Sequence, residues 1–159
     1  MKIEISMDSV AVQRALNALG QRARNLSPAF REIGAGVADE ARLGFKGSQD
    51  PYGRAWQPLK SSTLAARRKG KGSGSAKPLL DTGRLRNSIS FELLGQSGVV
   101  IGTNVKYGTI HQFGGMAGRS RKVPIPARSF LATRERGIPR EYGEIIRDAL
   151  ARHFAKAVA

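Results

Sequence analysis

The sequence predicts an α+β domain in which amphipathic helices pack on a small antiparallel β-sheet and long basic loops leave the ordered part. Three observations carry that expectation. Apolar residues recur at helical spacing up to Phe45 and again beyond Pro139. Two short apolar runs flank Gly95-Gln96-Ser97-Gly98, the pattern of an antiparallel hairpin. A Gly-, Ser- and cation-rich stretch over residues 67–77 has nothing with which to build a core.

In chain order, residues 2–7 alternate, with Ile3, Ile5 and Met7 on one face, and read as a short strand. Asp8 or Ser9 can cap the helix that follows, whose stripe is Val12, Leu16, Leu19, Ala23 and Leu26. Ser27-Pro28 supplies an N-cap and a first-turn proline for a second helix, with Phe30, Ile33, Val37, Ala41 and Phe45 as its stripe. So short a break fits a helical pair or one long kinked helix. Gly34 and Gly36 weaken that helix by about 1 kcal/mol each relative to alanine, and close packing against a neighbour is one reason to keep them. Residues 47–58 form a turn-rich loop around Trp56, the single tryptophan of the chain. Ser61, Ser62 or Thr63 can start a short helix reaching Arg68, and residues 67–77 are expected to be a flexible basic loop. Asp81 or Thr82 can cap a helical turn before the hairpin, whose first strand alternates through Ile89, Phe91 and Leu93. Residues 106–113 read as a helix stopped by Gly114-Gly115. A second basic loop with Arg119, Arg121 and Lys122 precedes an extended stretch over residues 125–131, where Pro124 and Pro126 disfavour helix. Pro139 opens the last helix, whose apolar face is Tyr142, Ile145, Ile146, Ala149, Leu150 and Phe154.

Length and composition bound the function. A chain of 159 residues is expected to fold as one domain over residues 1–159. At that size roughly 68–70% of the unfolded surface is buried, so no metal or disulfide has to rescue a small core. The absence of cysteine excludes disulfide frameworks, cysteine zinc sites and thiol nucleophiles, and it fits folding in a reducing cytoplasm. Residues 1–7 lack the apolar run of a signal peptide. No run approaches the ~18 apolar residues of a membrane span, so no membrane partner is expected. The outlying quantity is charge: 27 Lys and Arg against 12 Asp and Glu give +15. A field of that sign draws in polyanions, whether nucleic acid, an acidic protein face or an anionic membrane surface.

Catalytic groups are scarce. The histidines, His111 and His153, are far apart in sequence, and Asp39, Glu40 and Asp50 pair with neither. A bond from the His111 ring to a nearby backbone carbonyl, and a surface or capping place for His153 near the end of the last helix, account for both. No metal-ligand spacing exists. Gly102-Thr103-Asn104 and Gly114-Gly115 lack the Lys-Ser or Lys-Thr of a phosphate loop. Aromatic residues make up 6% of the chain and do not interleave with the basic clusters as a base-stacking surface requires. No enzyme, catalytic residue, metal or cofactor is expected.

Four stretches together resemble the phage virion morphogenesis family, whose members include tail-completion proteins of Mu-like phages. They are Trp56-Gln57-Pro58-Leu59-Lys60 with Thr63-Leu64; Pro78-Leu79-Leu80-Asp81-Thr82-Gly83-Arg84-Leu85-Arg86-Asn87-Ser88-Ile89; Ile101-Gly102-Thr103-Asn104-Val105-Lys106-Tyr107-Gly108 running on to Ile110-His111-Gln112-Phe113-Gly114-Gly115; and Ile125-Pro126-Ala127-Arg128-Ser129-Phe130-Leu131. The basic break between the first two belongs to the pattern. Ser129, where proline is expected, and Gly108, where alanine is common, depart from it.

The resemblance implies a structural subunit that completes the tail or neck as a homo-oligomeric ring at the head–tail junction. Tail symmetry favours six copies. It implies no catalytic residue, partners among other head, neck or tail proteins, and a place in the virion after assembly in the host cytoplasm. The alternative is a basic nucleic-acid-binding protein of ribosomal or architectural type. On either reading the candidate contacts to a partner or to double-stranded DNA are Arg67, Arg68, Lys69, Lys71 and Lys77 in the first loop, and Arg119, Arg121 and Lys122 in the second. A solvated surface without a partner is the other reading of these cations. Trp56, Thr82, His111 and Phe130 are the candidate structural anchors, with Trp56 and Phe130 either pinning loops to the core or filling a neighbour's pocket.

Overall fold

A computed structural model describes residues 9–71 and 73–157, with only the backbone described at Lys71 and Arg121. The expected strand over residues 2–7 and the candidate cap Asp8 lie outside the described residues. Among the described residues, six α-helices and two two-stranded antiparallel sheets make an α+β fold.

Helix α1, Ser9–Arg24, is separated from α2, Ser27–Gly47, by Asn25 and Leu26, so the two stripes belong to a helical pair. Ser27 is the first residue of α2 and not its side-chain cap: its hydroxyl donates to the Gly95 carbonyl, 3.3 Å away in the hairpin turn. The stripe of α2 is buried as its periodicity predicts, and it divides between two apolar clusters. Ile33 and Val37 meet Tyr142 and Ala149 of α6, Arg140–Ala155. Ala38, Ala41 and Phe45 meet Trp56, Leu85, Ile89, Val105 and Phe130. Ile101 packs against both clusters and joins them. The two glycines of α2 mark close approaches. A Cβ on Gly34 would sit 2.5 Å from the Phe91 ring, and one on Gly36 would sit 2.8 Å from Cγ2 of Ile145. Backbone therefore presses on the sheet at one and on α6 at the other.

The stripe of α1 behaves differently. None of its residues is buried, and Val12 and Leu16 are 41% and 56% exposed. A clasp at its carboxyl end ties it to α6: Arg22 donates to the carbonyls of His153 and Lys156, while Nε2 of His153 lies 3.1 Å from the Arg22 carbonyl. His153 is thus buried in a helix–helix joint, contrary to the surface position expected from its place in the last turns.

Strands β1, Ile89–Leu94, and β2, Gly98–Thr103, form the predicted hairpin in the register Ile89↔Thr103 to Leu94↔Gly98. The loop after α2 is ordered by one carboxylate. Asp50 accepts bonds from the N–H groups of Tyr52 and Arg54 and an ion pair from Arg136. Burial opposes ionisation of Asp50, but those partners outweigh it and hold the carboxyl below its ordinary range. Trp56 closes the loop, its indole N–H donating to the Ser129 carbonyl at 2.9 Å.

Helix α3, Ser61–Ala66, continues through Arg67 and Arg68 and breaks at Lys69 and Gly70, whose φ of −84° and 79° with ψ of 24° and 8° are not helical, so it ends at the Arg68 limit read from the sequence. Helix α4 covers Arg84–Asn87, and α5, Gly108–Phe113, starts two residues later than expected and stops at Gly114 with φ 75°. A second hairpin follows that the sequence did not reveal: β3, Gly115–Ala117, pairs with β4, Val123–Ile125, and carries Arg119–Arg121 in its connection. Residues 126–130 have no strand pairing and Leu131 lies in a bend. Gln112 serves them instead, accepting from the N–H groups of Phe130 and Leu131 and donating to the Leu131 carbonyl.

Candidate functional site

The four sequence stretches converge on one groove. Its volume is about 720 Å³. The run from Gln57 to Lys60 with Thr63 of α3 lines it, as do Leu79 and residues 81–85. Tyr107 and His111 lie at the α5 end, and β4 with Pro126 and Arg128 completes the lining. Three prolines, at 58, 124 and 126, keep these walls extended.

Charge in the groove is one-sided. Lys60, Arg67, Arg84 and Arg128 line it, and among the described lining residues Asp81 is the sole carboxylate. Arg128 is 7% exposed. It donates from Nε to the Gln57 carbonyl at 2.7 Å and from Nη2 to the Pro58 carbonyl at 3.0 Å, which braces one wall against another. Both acceptors are neutral, and burial followed by the charge of Arg67 makes the Arg128 guanidinium easier to deprotonate than usual. Arg67 turns inward as well, donating to the carbonyls of Ser75 and Lys77, with Nε 3.8 Å from Asp81. Asp81 accepts from the Ser73 N–H and hydroxyl, and these bonds, with Arg67 behind them, hold its carboxyl below the ordinary value. His111 keeps a buried Nδ1 without a hydrogen-bond partner, where the sequence led us to expect a bond to a nearby carbonyl. Its own carbonyl is taken by the Arg128 N–H at 2.7 Å. Burial, then the charge of Arg128, lowers its pKa.

The candidate contacts differ in their place relative to this groove. Arg67 lines it, and Arg68 and Lys69 follow as exposed residues. Lys77 folds back, its ammonium donating to the Lys46 carbonyl at 2.7 Å. Arg119 and Lys122 are exposed on the second hairpin, and Val123, next to Lys122, lines the groove. The side chains of Lys71 and Arg121 lie outside the description. The first basic segment thus reaches the cleft through Arg67, and the second adjoins it through Val123.

Of the anchors, Trp56 and Phe130 are core residues on either side of Phe45, with ring centroids 5.2 and 5.6 Å from it. Thr82 stays exposed on the groove wall and its hydroxyl accepts from the Arg84 N–H at 3.4 Å, while Gly83 takes the left-handed φ of 76° that starts α4. Ser129 and Gly108, the departures from the family pattern, both have local reasons. The Ser129 hydroxyl donates to the Gln112 carbonyl at 2.9 Å, and a Cβ on Gly108 would sit 2.8 Å from Cγ2 of Thr103. The sequence offered Asp81 only as a helix cap, a place that Gly83 takes instead, and gave no role to Arg128 or Gln112, although all three lie in the quoted stretches.

Comparison with known proteins decides the relationship. The profile of the phage virion morphogenesis family matches residues 7–155. The chain belongs to the phage virion morphogenesis family. The Mu-like prophage FluMu G protein 2 of Haemophilus influenzae is 35% identical over 147 residues, covering 92% of this chain and 92% of that protein. No solved structure matches significantly. Membership in a virion morphogenesis family points to a structural role in phage assembly and to partners among phage proteins, not to catalysis. Two further facts about this family member concern the described residues. No group of three His, Cys, Asp or Glu is placed to hold a metal, and no helix is long and apolar enough to cross a membrane.

Proposed function

We propose that the chain is one domain of a homo-oligomeric ring that completes the tail or neck at the head–tail junction of the virion, assembled in the host cytoplasm. The observation that carries this reading is the extent of the family match, which runs from residue 7 to residue 155 and takes in the groove, both basic segments and the core together. A ring of identical subunits uses heterologous interfaces that close by rotation. Six copies are favoured by the symmetry of tails. Each subunit brings a charge of +15, so the ring presents a strongly positive field to acidic faces of neighbouring rings or to DNA in its lumen. The test is imaging of virions at the head–tail junction together with mass determination of the purified protein. A ring of this protein at that junction is the expected result, and virions that carry none of it there would overturn the reading.

The basic residues of the two segments serve docking and not folding. Replacing Lys69, Lys71, Arg119, Arg121 and Lys122 with serine is expected to shift stability by less than about 0.5 kcal/mol per site. It is also expected to abolish restoration of infectivity to virions assembled without the wild-type protein. A variant that complements fully would sink the docking role. Salt-sensitive binding of duplex DNA by the free subunit would favour the architectural nucleic-acid-binding alternative.

A further inference from the structure

We propose that the groove between α3 and β4 is a receptor for an extended, acidic segment of a different virion protein, with a carboxylate seated between Arg128 and Arg67. The inference rests on the proposed role only in taking the partner to be another virion protein. It does not depend on ring closure or copy number.

Arg128 is a buried cation whose hydrogen bonds go to two backbone carbonyls, and among the described residues no carboxylate lies within ion-pair distance of it. A guanidinium has five N–H donors, so most of its capacity is unspent. Arg67 adds a second positive charge nearby, and Asp81, 3.8 Å from Arg67, is already committed to Ser73. A buried charge without a counter-charge is costly, and a planar carboxylate is the group that matches a guanidinium fork.

Shape narrows the class of partner. A cleft of about 720 Å³ falls within the size range of sites that enclose a small ligand or a few residues of peptide. Its walls are apolar at Pro58, Leu59, Leu79, Val123 and Pro124, which suits a chain that alternates acidic and apolar side chains. All three residues of β4 line the groove, and Pro124 at its centre has no N–H to offer a further strand, so side chains and not strand addition hold the segment. A DNA duplex is a poorer fit. Its phosphates lie on a convex rod and meet cations on exposed loops, whereas Arg128 sits recessed.

A second copy of this chain is also disfavoured. Each copy carries +15, and five of its 12 acidic residues, Glu32, Asp39, Asp50, Asp81 and Glu144, are already paired within the subunit. Charge complementarity therefore selects a foreign acidic segment.

The test uses the full-length protein and a fluorescein-labelled peptide of alternating aspartate and leucine, read by fluorescence anisotropy. Its asparagine–leucine counterpart, free acetate and a random-sequence DNA duplex serve as competitors. The acidic peptide is expected to bind at least about ten-fold more tightly than the asparagine peptide. Thr63→Trp, at an exposed position on the groove wall, fills the cleft without touching the core and is expected to abolish binding. Arg128→Met is expected to do the same. Because Arg128 also braces the wall, its variant is read beside its thermal melt, and Thr63→Trp decides if it fails to fold.

Absence of peptide binding, equal binding of the two peptides, or binding that survives Thr63→Trp would overturn the proposal. Displacement by acetate at equal concentration would reduce the groove to a site for free carboxylates. Displacement by DNA would assign it to nucleic acid, and self-association lost on Thr63→Trp would assign it to a second copy; each of these also overturns the proposal. A ring at the junction without peptide binding removes this inference and leaves the ring, while peptide binding without a ring does the reverse.

Discussion

Gln112 holds residues 129–131 in place much as a neighbouring strand would, bonding two N–H groups and one carbonyl with a single side chain. Gln112→Leu leaves those groups buried and unsatisfied, and is expected to cost about 3 kcal/mol in denaturant unfolding. Two titrating groups give a pH signature. The His111 imidazole is held below its ordinary pKa by burial and then by Arg128, so its unfolded form takes up a proton first as pH falls. Its contribution to stability is therefore complete above about 6.5 and drains as pH falls from there toward the lower folded value. Asp50, also depressed, contributes in full above its unfolded value and loses that contribution as pH falls through its lower folded pKa. Urea midpoints measured against pH should show both losses, and His111→Asn should remove the first. At this scale the sequence was legible in part. Trp56 and Phe130 stood out by size, but a polar side chain such as Gln112 or Arg128 carries no periodicity, and what it bonds is decided by segments far away in the chain.

Helices α2 and α6 and the first hairpin were legible because each repeats its apolar pattern over enough residues to exclude the other period. The second hairpin was not, since strands of three residues are too short for alternation to register. Helix α1 shows a different limit. Its stripe is as regular as that of α2, yet periodicity states that a face is apolar and not what covers it. Held at one end by Arg22 and His153, α1 is expected to exchange its amide hydrogens far faster than α2, and Arg22→Ala should accelerate α1 while leaving α2 unchanged. Paired glycine substitutions separate propensity from packing. Gly20→Ala, with nothing within 4 Å of the new Cβ, is expected to stabilise by about 1 kcal/mol. Gly34→Ala drives a methyl into the Phe91 ring and is expected to destabilise by about 1–3 kcal/mol, as thermal melts of the two variants would report.

For the molecule as a whole, charge was the plainest signal in the sequence and the groove the least visible. Composition gives +15 directly, whereas four stretches spread from Gln57 to Arg128 meet only once the core has formed. Self-repulsion at that charge is screened by salt, so the melting temperature is expected to rise with sodium chloride between low and physiological ionic strength. The brace from Arg128 has a further consequence, in heredity. Its acceptors at Gln57 and Pro58 are backbone carbonyls, which every residue supplies, whereas the Arg67–Asp81 pair depends on side-chain identity. A recombination event between two related phages with its crossover between codons 60 and 120 preserves the brace and so the fold, but it lines the cleft with walls from different parents. Such hybrids would be born folded and mismatched to either parent's partner, so selection should pass the whole interval on as one block.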